Sequence, residues 1–263
     1  MSKTILITGA ASGFGKIAAF DLAQKGHHVI ATAQVYPQVS DLMREAAAKG
    51  ISLTVDKLDV TDQRDINYTT HKYDIDLLIS NAGVMEGGPI AEQPLDLVRS
   101  MFEVNVFGAL QLAQGFIKKF VAQKKPGKIV FTSSMGGLWT VPYVAAYCAS
   151  KHALEAIAEG LKTELAPFNI KIATCNPGVF GTGFNDRGVD SIFRWYDPAR
   201  NFTPASAFDG AAESLAHQLD PQSMADCIVK VALDNDANFR NVHPKETEDF
   251  VKQLQADAWT AKS

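Results

Sequence analysis

Apolar residues in this chain gather in short unbroken runs, set between longer stretches where they recur every three or four positions. Thr4-Ile5-Leu6-Ile7, Val29-Ile30-Ala31-Thr32, Ser52-Leu53-Thr54-Val55, Leu77-Leu78-Ile79, Lys128-Ile129-Val130-Phe131 and Ile170-Lys171-Ile172-Ala173 are of strand length. Most are apolar throughout instead of alternating, the pattern of strands buried on both faces. Helical spacing runs through Ala18–Ala23, stopped by Gly26 as a C-terminal cap, and returns near 38–49, 94–123, 147–167, 223–233 and 245–258. Strand and helix in steady alternation predict a parallel sheet with right-handed crossovers, a Rossmann-like doubly wound α/β fold. No repeat or linker interrupts the pattern, so one domain over 1–263 is expected.

Composition narrows the function classes. With 46% hydrophobic and 21% charged residues, the chain is ordinary globular protein and can bury a large core without a staple. A formal net charge of -4 and the lack of a basic run argue against nucleic acid as a partner. No apolar run approaches the ~20 residues that span a bilayer, and the N-terminus does not read as a signal peptide. Cys148, Cys175 and Cys227 are scattered and odd in number, which suggests reduced thiols and a cytoplasmic location. The six histidines show no metal-ligand spacing, so no metal is expected.

Two segments carry candidate chemistry. The first strand ends in Thr8-Gly9-Ala10-Ala11-Ser12-Gly13-Phe14-Gly15, where a helix begins. Small residues let a pyrophosphate approach the backbone, and the helix N-terminus favours its charge. Alone, such a loop can also be a tight strand-to-helix connection. In Tyr147-Cys148-Ala149-Ser150-Lys151 the tyrosine and lysine are four apart, on one helix face. A nearby ammonium can lower a phenol that ordinarily ionises near ~10; alone, such a pair is more often an ordinary solvated one. Thr132-Ser133-Ser134 follows a buried strand, at the end of the sheet where α/β ligands bind.

Together these segments resemble the short-chain dehydrogenase/reductase family over nearly the whole chain, through six motifs in order. Thr8 to Gly15 matches the family's opening Thr-Gly-x-x-x-Gly-x-Gly, and Asp59-Val60 its aspartate after the third strand, an adenine contact. Ser80-Asn81-Ala82-Gly83 stands for Asn-Asn-Ala-Gly with one asparagine replaced, and Asn105 matches the helix asparagine of the catalytic tetrad. The family's serine thirteen residues before the tyrosine selects Ser134, and Tyr147 and Lys151 match Tyr-x-x-x-Lys. Pro177-Gly178-Val179-Phe180-Gly181-Thr182 resembles Pro-Gly-x-x-x-Thr, which lies along the nicotinamide. The resemblance implies cofactor contacts at Gly9, Ser12, Gly13, Phe14, Gly15, Gln34, Asp59, Val60, Asn81, Ala82, Gly83, Tyr147, Lys151, Pro177, Gly178, Val179 and Thr182. It also implies that Ser134 positions the substrate oxygen and Tyr147 passes the proton. Lys151 would hold the ribose and depress the phenol, and Asn105 would anchor a water.

The family's NAD-selecting acid falls at Ala33 and its NADP-selecting arginine at Gln34, so neither charge is present. Without the repelling acid the reading favours NADP, with NAD the alternative. Asn105-Val106-Phe107-Gly108 and the stretch from Tyr147 to Gly178 resemble the hydroxysteroid and retinol dehydrogenase branch, implying a hydrophobic ketone or secondary alcohol. In the family, residues corresponding to about 183–220 form a lid. Phe184, Phe193, Trp195, Tyr196, Phe202 and Phe208 lie there, as pocket wall or as plain packing, with Trp139, Val141, Tyr143 and Met85 as further candidates. Two other functions share the scaffold: an inactive dinucleotide-binding regulator and a lyase or epimerase. Leu110, Leu112, Phe116 and Phe120, with Leu154, Ile157, Leu161 and Leu165, place apolar residues on more than one helix face. A homo-oligomer, tetramer or dimer, is therefore expected.

Overall fold

The computed structural model describes residues 2–210 and 215–262. Its strands are β1 (Thr4–Ile7), β2 (His28–Ala33), β3 (Thr54–Lys57), β4 (Leu77–Ser80), β5 (Gly127–Thr132), β6 (Ile170–Pro177) and β7 (Arg240–His243). They form one parallel sheet in the order β3-β2-β1-β4-β5-β6-β7. The helices are α1 (Gly13–Gln24), α2 (Tyr36–Ala48), α3 (Gln63–Lys72), α4 (Leu95–Phe102), α5 (Ala109–Ala122), α6 (Ala145–Leu165), α7 (Phe184–Asp190), α8 (Pro221–Leu233) and α9 (Lys245–Ala258). Strand order reverses between β1 and β4, and the connections leaving those two strands part to open a crevice beyond their C-terminal ends.

Burial on both faces follows from the apolar runs. Ile5 and Ile7 of β1 pack with Leu22 of α1, Leu42 of α2 and Ile228 of α8. Leu6, between them, faces the other way with Ile66 of α3, Phe116 of α5 and Leu154 of α6. Each such side chain contributes roughly 1.5–3 kcal/mol of burial. That is larger than a helix cap, and α1 and α5 indeed have no side-chain cap.

Three departures from the sequence pattern have local causes. The stretch 94–123 is not one helix: α4 and α5 are separated by a π-helical turn, Glu103–Gly108, which carries Asn105. A Cβ on Gly108 would lie 2.5 Å from the Val60 carbonyl oxygen, so only glycine lets the turn lie against the strand end. α3 (QRDINYTTHK) buries only Ile66 and Thr69, too thin a stripe to read as a helix. β7 (RNVH) is a half-exposed edge strand with one apolar residue. Part of the expected lid, 211–214, lies outside the described residues. No helix among the described residues is long and apolar enough to cross a membrane.

Candidate active site

A cleft lies at the C-terminal ends of β1, β2, β4, β5 and β6, and nearly every motif meets on it. Ser12, Gly13, Gln34, Asp59, Asn81, Ser134, Tyr147, Lys151, Pro177 and Thr182 all line it. Its floor is built from backbone. Gly9 has φ +65°, and a Cβ there would lie 2.9 Å from the Ala82 Cα, so the first loop can only close on the β4 loop as glycine. The Thr8 hydroxyl ties the two loops together, accepting from the Asn81 and Ala82 N–H groups at 2.9 Å each. α1 opens on this floor with no side chain capping its first turn, which leaves its N–H groups to a ligand anion.

Tyr147 and Lys151 come off the first two turns of α6, one turn apart. Tyr147 is buried, and burial pushes its phenol up from the ordinary range while a hydrogen bond with the Ser134 hydroxyl pulls it back in part. Burial also draws the Lys151 amine down from 10.5 to about 8, against the pull of Glu155. The ammonium donates to the Thr132 carbonyl oxygen at 2.9 Å and lies 5.9 Å from the centre of the Tyr147 ring. Ser134 is thus the group that lowers the phenol here, with the Lys151 amine turned to the Thr132 carbonyl of β5. Ser134 accepts from the Gly136 N–H at 3.0 Å, which aims its hydroxyl. Ser133 is buried with its hydroxyl unpartnered, whereas Ser134 hydrogen-bonds with the tyrosine.

Three expected residues sit elsewhere. Asn105 lies behind the cleft: its amide donates to the Val84 carbonyl and to Ser150 Oγ at 2.9 Å each, and its Oδ1 accepts from Val84 N–H at 2.8 Å. Gly15 is also behind the wall, where a Cβ would meet Asn81 Nδ2 and the Gly9 oxygen at 2.6 Å. Val179 does not line the cleft, because its carbonyl pairs with the Leu219 N–H at 3.0 Å and Phe180 takes the wall instead. At the far end Gln34 Nε2 donates to Asp59 Oδ2 at 3.1 Å. Burial would raise the Asp59 carboxyl, but hydrogen bonds from Thr61 and Gln34 bring it below its ordinary value.

The lid aromatics divide. Phe184 lines the cleft with its ring 5.9 Å from that of Tyr147. Phe208 packs edge-on against both Tyr143 and Tyr196 outside it, Trp139 packs on Phe250, and Phe193 and Phe202 are 65% and 77% exposed, so none of these is cleft wall. Met85 and Val141 pack in the cluster around Tyr147 and Cys148. Gln38 and Arg187 line the cleft without any motif having marked them. Arg187 stands five residues past Thr182, and a cation there in a helix facing the glycine loop is the signal that could have found it. Lys151 and Arg187 are the cations of the lining and Asp59 its carboxylate, among the described residues. A cleft lined by a backbone anion cradle and by the Ser134–Tyr147–Lys151 group, its tyrosine and lysine buried, fits a nicotinamide dinucleotide.

Comparison with known proteins agrees. The short chain dehydrogenase family profile matches residues 3–190. Uncharacterized oxidoreductase YusZ of Bacillus subtilis is 34% identical over 249 residues, covering 88% of this chain and 84% of the relative. Retinol dehydrogenase 8 of Bos taurus is 31% identical over 242 residues, covering 87% and 77%. A short-chain dehydrogenase structure from Streptomyces avermitilis superposes with a TM-score of 0.82 at 28% identity, covering 99% of this chain and 94% of that one. With these matches and that cleft, the chain belongs to the short-chain dehydrogenase family and is a nicotinamide-dependent oxidoreductase acting on alcohol and ketone groups.

Proposed function

We propose that the protein interconverts a hydrophobic ketone and its secondary alcohol, with NADP favoured over NAD. The observation that carries this reading is the meeting of Ser134, Tyr147 and Lys151 on the cleft that holds the anion cradle. The nicotinamide supplies or accepts the hydride; the rest falls to the chain. The Ser134 hydroxyl donates to the substrate oxygen and holds it against the Tyr147 phenol. Burial keeps that phenol protonated at neutral pH, so it gives its proton to the oxygen in the reductive direction and takes it back in the oxidative one. Lys151, an ammonium below about pH 8, holds the ribose hydroxyls and supports negative charge arising on the phenol. Asn105 acts from behind, fixing the Val84 loop and anchoring a water that carries protons from lysine to solvent.

Gln34 and Ala33 oppose no charge to a 2′-phosphate, and the Gln34 amide can donate to it once released from Asp59. Gly9, Ser12, Gly13, Phe14, Asn81, Ala82, Gly83, Pro177, Gly178 and Thr182 complete the cofactor wall. Phe184, Met85 and Val141 around Tyr147 make the substrate end apolar, in keeping with the likeness to a retinol dehydrogenase. The described part of the segment at about 183–220 acts as a lid on a single domain, and the protein is cytoplasmic. It assembles as a dimer or tetramer through α5 and α6. Leu112, Phe116, Phe120, Leu154 and Leu165 are spent on the core, but Phe107 is 52% exposed and Leu110, Ile157 and Leu161 are only half-buried. A panel of apolar ketones and alcohols with NADPH and NADH, followed at the nicotinamide absorbance, tests the reading. Turnover of bulky apolar substrates with NADPH is expected; a cofactor bound but never oxidised or reduced would leave a regulator in its place.

A further inference from the structure

Behind the cleft, a buried carboxylate joins two of the groups that face it. Glu155 lies on α6 one turn after Lys151 and is 4% exposed. Its Oε1 accepts from Asn176 Nδ2 at 2.6 Å and its Oε2 from Arg240 Nε at 2.9 Å. Asn176, at the end of β6, also donates from Nδ2 to the Ser134 carbonyl oxygen at 3.1 Å, and its Oδ1 accepts from Thr174 at 3.0 Å. A Cβ on Gly137, in the turn after Ser134, would lie 3.2 Å from Glu155 Cγ, so that turn rests on the glutamate. A carboxylate so deeply desolvated survives only with partners, and here they are a cation from the edge strand and the amide that holds the serine.

Charge points the same way. Lys151 is buried, and the carboxylate that acts on it is Glu155, which opposes the effect of desolvation. The other groups near the pair are Tyr147 on the same helix, Arg240 of β7, Glu159 at 3.7 Å from Arg240, and the Cys175 thiol of β6. Arg240 is 38% exposed in its side chain, so water weakens its hold, while Lys151 and Glu155, one turn apart on α6, are both buried.

We propose that Glu155 is a positioning residue of this enzyme: through Asn176 it fixes the backbone that presents Ser134, and through its charge it keeps Lys151 an ammonium. The proposal rests on the proton-transfer roles given above to Ser134, Tyr147 and Lys151. It separates two arms that different substitutions break. Glu155→Gln removes the charge and disturbs both arms; Asn176→Ala removes the amide that Glu155 shares with the Ser134 carbonyl but leaves the carboxylate and its Arg240 partner in place.

The test measures NADPH affinity against pH by nicotinamide fluorescence on the purified protein, together with kcat and KM for a carbonyl substrate. In the wild type, NADPH binding weakens as pH rises through about 8, where Lys151 loses its proton. In Glu155→Gln that midpoint moves down by roughly one pH unit, because the charge that favours the ammonium is gone. Asn176→Ala keeps the midpoint where it was and lowers kcat roughly tenfold, the scale of one misplaced hydrogen bond. An unmoved midpoint in folded Glu155→Gln overturns the electrostatic arm. A wild-type kcat in Asn176→Ala overturns the proposal whether or not Glu155→Gln folds. A wild type that binds no nicotinamide nucleotide, or keeps full turnover as Tyr147→Phe, would instead sink the underlying reading.

Discussion

Replacing Lys151 by methionine should stabilise the free protein while removing its activity. The amine is buried against α6 and β5, and desolvation has brought it from 10.5 to about 8 despite the pull of Glu155. At 1.36 kcal/mol per decade, holding it charged at pH 7 costs roughly 3 kcal/mol. Methionine is flexible enough to fill the space and carries no charge to desolvate. Against that gain stands the lost hydrogen bond to the Thr132 carbonyl, worth about 1–2 kcal/mol with a charged donor. The net is a stabilisation of roughly 1–2 kcal/mol, or a Tm higher by about 2–8 °C in a chain of this size. The pH dependence identifies the cause. The unfolded lysine binds its proton up to about 10.5 and the folded one only up to about 8, so wild-type stability rises as pH climbs between those values. The variant's advantage is therefore full below pH 8 and gone by about 10.5. Thermal unfolding of both proteins across that range, without cofactor, is the assay. A variant less stable than wild type at pH 7, or one whose advantage does not shrink with pH, would refute the reasoning.

Tyr147→Phe keeps the buried ring and its packing on Phe184, so NADPH affinity should hold while turnover falls by roughly 10²-fold or more; near-normal turnover would remove tyrosine as the proton donor. Gln34→Arg should raise the kcat/KM ratio of NADPH to NADH roughly tenfold, and Ala33→Asp should lower it by as much, since an arginine pairs with the 2′-phosphate and an aspartate repels it. If neither ratio moves, the ribose pocket is misplaced. Light scattering should give a multiple of the 28.5 kDa chain mass, and Phe107→Asp should shift it towards that mass; a wild-type monomer would return the half-buried residues of α5 and α6 to solvent.

The sheet was legible because β1, β4 and β5 are buried on both faces and must be apolar along their length, a pattern with few readings. The glycine loop and the Tyr147/Lys151 pair were legible for a related reason: one needs missing side chains and the other a fixed helical spacing. What the sequence hid is what depends on contacts far along the chain. The π-helical turn at Asn105 is set by Val60, more than forty residues earlier, and by no local signal. α3 and β7 bury so little that their pattern is mostly polar, and they form because neighbouring elements supply the surface. The lid aromatics could not be sorted, since composition cannot say that Phe193 faces water while Phe184 faces Tyr147. Glu155 and Asn176 meet only because α6 packs on β6, and their 21-residue separation carries no motif.

The central claim is that this cleft moves a hydride between cofactor and carbon while Tyr147 moves a proton. The most direct measurement follows deuterium from C4-labelled NADPH into the alcohol formed from an apolar ketone, by mass spectrometry of the product. One deuterium at the carbinol carbon is predicted in ordinary water with wild-type enzyme, and little product at all with Tyr147→Phe. Product without the label, or label left entirely in the cofactor while substrate is consumed, would contradict the account.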